Sequence, residues 1–135
     1  MRVFLDTNVL ASALATRGLC SDVLRGVFAA HELLSCTEVL RELNKVLHDK
    51  FGIPAKLRKE ILAFLTQEAQ IIRKRKSLPI GLKDPADQPI IGAAAAGGAD
   101  VFITGDKELQ GLGQIEGLRT LSPRQFWELL RTRHG

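Results

Sequence analysis

The sequence predicts an α/β fold with a mainly parallel sheet and helices on both of its faces. Three observations point to it. Short apolar runs alternate with longer stretches of helical spacing, and that order implies right-handed βαβ crossovers. Two of the runs, Val3-Phe4-Leu5 and Val101-Phe102-Ile103, lead into aspartates, Asp6 directly and Asp106 after Thr104-Gly105. These lie at the carboxyl ends of strands, where such folds carry their sites. The chain has 135 residues, 45% of them hydrophobic. That suits one core burying about two thirds of the unfolded surface, so residues 1–135 read as a single domain.

In chain order, residues 3–5 make the first strand and end at Asp6-Thr7-Asn8, with a helix over 9–14 behind them. A second helix covers 21–30, opened by Ser21 or Asp22. Residues 32–35 form the second strand, and the Thr37 hydroxyl can cap the helix that follows. Val39, Leu40, Leu43, Val46 and Leu47 share one arc of that helix. Ile53-Pro54 interrupts, and helical spacing resumes over 56–69 with Leu57, Ile61, Leu62 and Leu65 on one face, a face that serves either the core or a partner. Residues 70–72 give a third strand leading into Arg73-Lys74-Arg75-Lys76. A helix over 89–97, a buried strand over 101–103 and a short strand over 118–121 follow. Ser122 caps the last helix, with Pro123 at its first position.

Four acids stand out against this pattern: Asp6, Glu42, Asp87 and Asp106. A carboxylate beside a buried strand is costly unless it has a partner such as a metal ion. Carboxylates gathered at strand ends and helix mouths make an oxygen-rich site for a hard cation such as Mg²⁺ or Mn²⁺, the donor set of metal-assisted phosphodiester chemistry. Four of them about 5 Å apart would repel by roughly 3 kcal/mol per pair at an effective dielectric of about 20, so a cation or a proton must be present. Plainer roles compete. Asp6 and Asp106 can each cap the helix behind them. Glu42 lies about 40° outside the edge of its helix's apolar arc, bordering the buried face, but it can also pair with Lys45 on the surface.

Asp84 and Asp87 compete for one place. If a helix starts at Pro85, Asp84 caps it and Asp87 sits in its first turn. Pro89 opposes that, because its missing N–H would leave the Pro85 carbonyl without a helical partner. A helix starting near Pro89, with Asp87 facing the strand ends and Asp84 in a turn, fits better.

The net charge is +4 and the pI near 9.4 although the candidate site is acidic, so the remaining surface is basic and favours a polyanion. Arg73, Lys74, Arg75 and Lys76 form the densest basic run, and Lys107 follows Asp106; each can contact phosphate or simply remain solvated. Aromatics are 5% and tyrosine is absent, which argues against a base-stacking platform. His31, His48 and His134 have no spacing that puts a general base beside the acids. Cys20 and Cys36 lack thiolate-zinc spacing and read as reduced thiols. The apolar run at the N-terminus is too short for a signal peptide or membrane helix, so a cytoplasmic protein without membrane attachment is expected.

The order Val3-Phe4-Leu5-Asp6-Thr7-Asn8-Val9-Leu10, Glu38-Val39-Leu40-Arg41-Glu42-Leu43, Asp84-Pro85-Ala86-Asp87 with Pro89-Ile90-Ile91, and Ile103-Thr104-Gly105-Asp106-Lys107-Glu108-Leu109 closely resembles the PIN domain. Within that family it is similar to the VapC-like toxins of bacterial and archaeal toxin–antitoxin pairs. Four motifs in order span nearly the whole chain. The resemblance implies a three-layer Rossmann-like sandwich and a Mg²⁺- or Mn²⁺-dependent ribonuclease. It further implies RNA as substrate, a cognate antitoxin as partner, and compatibility with a homodimer. By position it makes Asp6, Glu42, Asp87 and Asp106 the catalytic and metal-binding acids, with Asn8 and Thr104 as supporting polar neighbours. Ala86 and Gln88 replace acids found in other members, leaving fewer for a second metal. The alternative is a catalytically weak RNA-binding or regulatory module on the same fold. An aspartyl phosphatase is disfavoured because Asp6-Thr7-Asn8 lacks a second aspartate, and a dinucleotide enzyme because no GxGxxG follows the first strand.

Overall fold

The computed structural model describes residues 1–134, and side chains through residue 132. Strand β1 (Arg2–Leu5) leads through α1 (Thr7–Ala15) and α2 (Leu19–Ala30) to β2 (Glu32–Cys36). Helices α3 (Thr37–Asp49) and α4 (Ala55–Glu68) then connect to β3 (Gln70–Ile72). The second half runs α5 (Asp87–Ala96), β4 (Val101–Ile103), α6 (Lys107–Gln110), β5 (Gln114–Ile115), β6 (Leu118–Leu121) and α7 (Pro123–His134). The expected α/β sandwich is present, and among the described residues no helix is long and apolar enough to cross a membrane.

The six strands lie in the order β3-β2-β1-β4-β6-β5. All neighbours are parallel except β5 and β6. The chain first builds outward from β1 through β2 to β3, then returns to lay β4 on the other side of β1. Crossovers therefore diverge between β1 and β4, and a crevice opens above their carboxyl ends. Phe4 and Phe102 are register partners on these two strands, fully buried and stacked with ring centroids 5.4 Å apart. This central pair holds Asp6 and Thr104, each one residue beyond its strand, at a fixed separation.

Several helix ends differ from the sequence reading. Helix α2 starts at Leu19, not Ser21, because Gly18 takes φ +144° and turns the chain two residues earlier; Asp22 sits in the first turn and pairs with Arg25 at 2.7 Å. Thr37 is the first residue of α3 and not its cap: β2 runs straight into the helix, leaving the cap to buried Cys36 without a side-chain bond. On α4 only Leu65 is fully buried, Ile61 and Leu62 are half-buried, and Leu57 is 44% exposed. Strand β5 has only two residues, too few for an alternation signal. Its hairpin turns through Glu116 and Gly117, both at positive φ (49° and 86°), as the tightest β-hairpins require. At α7 the expectation holds, since the Ser122 hydroxyl accepts from Gln125 N–H (3.0 Å) and the Gln125 carboxamide accepts from Ser122 N–H (2.9 Å).

After β3 the chain crosses the outer side of α5 as a strap. The Lys76 N–H donates to the Gly92 carbonyl (3.0 Å), and the Gln88 carboxamide donates to the Ile80 carbonyl (2.5 Å). A Cβ on Gly92 would meet the Lys76 carbonyl oxygen at 2.7 Å, so the strap lies where only glycine leaves room for it. Beyond the strap, the chain turns through Asp84 into α5.

Candidate metal centre

Asp6 is held at both ends. Its N–H donates to the Ile103 carbonyl (3.0 Å), bridging β1 to β4, and its Oδ1 accepts from Val9 N–H (2.9 Å) as the cap of α1. Its Oδ2 accepts the hydroxyl of fully buried Thr104. The Thr104 oxygen accepts in turn from Asp106 N–H (3.0 Å), which leaves the hydroxyl proton for Asp6. Thr104 thus fixes Asp6 and the Asp106 backbone with one hydroxyl. Asp106 caps α6 by accepting from Glu108 N–H (2.8 Å) and Leu109 N–H (3.3 Å). Both aspartates cap the helix behind them; the cap leaves the second oxygen of Asp106 without a hydrogen-bond donor among the described residues, whereas the second oxygen of Asp6 takes the Thr104 hydroxyl.

Glu42 is half-buried on α3 and accepts the Thr7 hydroxyl at 2.8 Å, while Arg41 faces solvent. The surface pairing with Lys45 does not form among the described residues; Lys45 lines the same cleft as Glu42. Asp87 is the first residue of α5, so the helix begins two residues before Pro89, where sequence placed its start. The missing Pro89 N–H is accommodated by tightening: the Pro85 carbonyl accepts from Gln88 N–H instead, at 3.3 Å. Asp84 forms the expected turn, its Oδ1 accepting from Ala86 N–H (3.0 Å), yet it also faces the cleft.

Two lobes make up this cleft. One, of about 410 Å³, lies between α1, α3 and α5 and is lined by Asp6, Asn8, Glu42 and Asp87 among others. The second, of about 610 Å³, reaches α6 and includes Asp106. Asp6, Asn8, Lys50, Asp84 and Asp87 border both. Among the described residues no three of these side chains converge as they stand on one point at metal-ligand spacing. Asp6, Glu42 and Asp106 each have one or more oxygens turned to a local donor, whereas Asp87 has no hydrogen bond to its carboxylate among the described residues.

Charge crowding shows in the acidity of the two central acids. Burial raises the Asp6 pKa, and Asp106 and Glu42 add to the rise; the Thr104 and Val9 donors oppose it. Asp87 is pushed up to about 6 by burial first, then by Asp84, Asp106, Glu42 and Asp6. The donor set is all oxygen and its negative charge exceeds that of the lysines beside it, a chemistry that fits a hard divalent cation.

A pH dependence follows. Asp87 binds its proton more tightly folded (about 6) than unfolded (3.8). Without divalent metal, its contribution to stability should fall as pH rises from about 4 to about 6. Melting temperatures of the wild type and Asp87→Asn in chelator, compared across that window, should diverge in the variant's favour as pH rises. A constant difference would contradict the crowding.

The remaining candidates sit elsewhere. Arg75 pairs with Glu38, and Lys76 with Glu116 at 3.0 Å; Arg73 and Lys74 are exposed. Neither this run nor Lys107 lines either lobe. His48 is exposed and bonded to Asp49 (2.8 Å), His31 contacts the N-terminal amine (3.0 Å) and packs on Phe126, and the side chain of His134 lies outside the described residues. Cys20 and Cys36 are free thiols. Sequence reasoning missed Thr7, Lys50 and Lys83. Helical spacing from Glu42 was the available signal for Lys50, but the loop carrying Lys83 has no periodicity to read.

The PIN domain family model matches residues 2–108. Comparison with curated proteins gives no match. Among solved structures, VapBC-1 of nontypeable Haemophilus influenzae aligns with TM-score 0.63 at 20% identity, covering 92% of this chain and 99% of that one. VapBC2 of Rickettsia felis, bound to a DNA fragment from its promoter, aligns with TM-score 0.61 at 18% identity, covering 90% and 98%.

Proposed function

The chain belongs to the PIN-domain family, and from that premise we propose that it is a Mg²⁺- or Mn²⁺-dependent endoribonuclease, the toxin of a toxin–antitoxin pair acting in the cytoplasm. The observation that supports the reading is that Asp6, Glu42, Asp87 and Asp106, carried at the cap of α1, on α3, at the start of α5 and at the cap of α6, border two lobes that share Asp6 and Asp87 near the sheet's switch point. A bound divalent ion supplies Lewis-acid activation of water and offsets charge on the phosphate. The protein's own part is positioning. Thr104 and the α1 cap lock the Asp6 carboxylate, Thr7 orients Glu42, and the α6 cap turns one oxygen of Asp106 away, leaving the other for the cleft. Asp87, whose pKa burial and the neighbouring acids push up to about 6, is the acid at which a proton competes with the metal as pH falls. Asn8 borders both lobes and can offer its amide to a phosphate oxygen.

An antitoxin partner is supported by two solved folds of this kind that come from VapBC complexes and by an apolar surface here. Phe28 on α2 and Phe64 on α4 are 38% and 47% exposed and meet edge-on at 5.7 Å, with Leu57 exposed nearby in sequence on α4. Such aromatics invite cover by a partner.

Incubating the purified protein with structured and single-stranded RNA, with Mn²⁺, Mg²⁺ or chelator, tests the activity. Internal cleavage only with a divalent ion is expected. RNA binding without cleavage in any metal would favour the catalytically weak module.

A further inference from the structure

Building on the nuclease reading, we infer that Lys45, Lys50 and Lys83 form the track for the phosphate backbone of the RNA strand, with Lys50 beside the scissile phosphate. The need for such a track is electrostatic. The α3 lobe sets five carboxylates, Asp6, Glu42, Asp49, Asp84 and Asp87, against Lys45 and Lys50. The α6 lobe exchanges Glu42 and Asp49 for Asp106 and Glu108, and Lys45 for Lys83. Even with one divalent ion bound, a polyanion entering either lobe meets surplus negative charge, so cations on the walls must draw it in.

Placement fits that task. Lys45 borders only the α3 lobe, Lys83 only the α6 lobe, and Lys50 both, so the three mark one end, the middle and the other end of a continuous path. Glu42, Lys45, Val46 and Asp49 on α3, with Lys50 at its C-cap still in helical conformation, fall within an arc of about 140° at about 100° per residue, so one helix face carries a candidate ligand and two cations. At about 1.5 Å per residue, Lys45 and Lys50 stand about 7.5 Å apart along the axis, which lets them hold different phosphates. All three lysines are exposed, and among the described residues none makes a side-chain ion pair, although acids surround them. The basic run of the strap differs: Arg75 and Lys76 already hold Glu38 and Glu116. Charge density in the sequence marks the run, whereas position in the fold marks the three lysines.

The test is the salt dependence of binding to a fluorescent single-stranded RNA of mixed sequence, with Ca²⁺ in place of the activating ion to slow turnover. Each phosphate contact contributes about −0.7 to the slope of log K against log salt for a single strand. Lys45→Gln, Lys50→Gln and Lys83→Gln should each shrink the slope by about 0.7, and the triple variant by about 2, with unchanged thermal melts. With Mn²⁺, Lys50→Gln should lower kcat as well as raise KM, while Lys45→Gln and Lys83→Gln should act mainly on KM. Unchanged slopes in all three, or a slope that falls only in an Arg73→Gln/Lys74→Gln variant, would overturn the track and leave the nuclease reading standing. Failure of the wild type to bind or cut RNA at all would overturn both.

Discussion

Asp87→Asn should lose RNA cleavage by about 100-fold or more, since replacing an outer-shell partner of a metal already costs about 10–100-fold and this change removes a proposed ligand. Asparagine keeps the volume of the side chain and its place in the first turn of α5. It also ends the repulsion from Asp84, Asp106, Glu42 and Asp6, so the melting temperature should hold or rise. Asp84→Asn should behave differently. The asparagine oxygen can still accept from Ala86 N–H and preserve the turn, so activity at neutral pH should stay near that of the wild type. The variant also loses one of the charges that raise the Asp87 pKa, and the acidic limb of its pH–rate profile should shift to lower pH. Nuclease rates and matched melts on both variants check this. Full Mn²⁺-dependent cleavage by Asp87→Asn would sink the quartet; loss of activity in Asp84→Asn alone would exchange the two roles.

The second large effect is on stability. A divalent ion binds the folded acid cluster and finds no comparable site in the unfolded chain, so at about 100 times its Kd it should add about 2.7 kcal/mol. For a chain of this size that is a rise of roughly 9 °C in melting temperature. Asp6→Asn should abolish most of the gain while retaining the α1 cap, because asparagine serves that position as well as aspartate. Equal melting temperatures in chelator and in Mn²⁺, with no heat of binding by calorimetry, would count against the site.

Much of this was legible in the chain because the signals were local. Strand, acid and cap follow one another within a few residues at Asp6 and at Asp106, and the apolar arc of α3 already placed Glu42 at the edge of the buried face. Errors arose where the deciding contact was distant or the backbone unusual. Gly18 set the start of α2 through a backbone angle that its neighbours do not announce, and Glu116 took a positive φ that sequence assigns to glycine or asparagine first. The basic run drew attention by density alone, yet its pairing with Glu38 and Glu116 joins residues far apart in the chain. Thr104 was legible as a neighbour of the site, but its two-sided hydrogen bonding emerged only once β1 and β4 lay side by side.

The strap over α5 makes one glycine answerable for acids it never touches. Any side chain at residue 92 must push the Lys76 carbonyl aside, and the segment so displaced runs on to Asp84 and Asp87, eight and eleven residues later. In a survey of random inactivating substitutions, residue 92 would therefore score alongside the carboxylates despite having no functional group. A map of tolerated substitutions would trace the helix underside of the strap as faithfully as it traces the cleft.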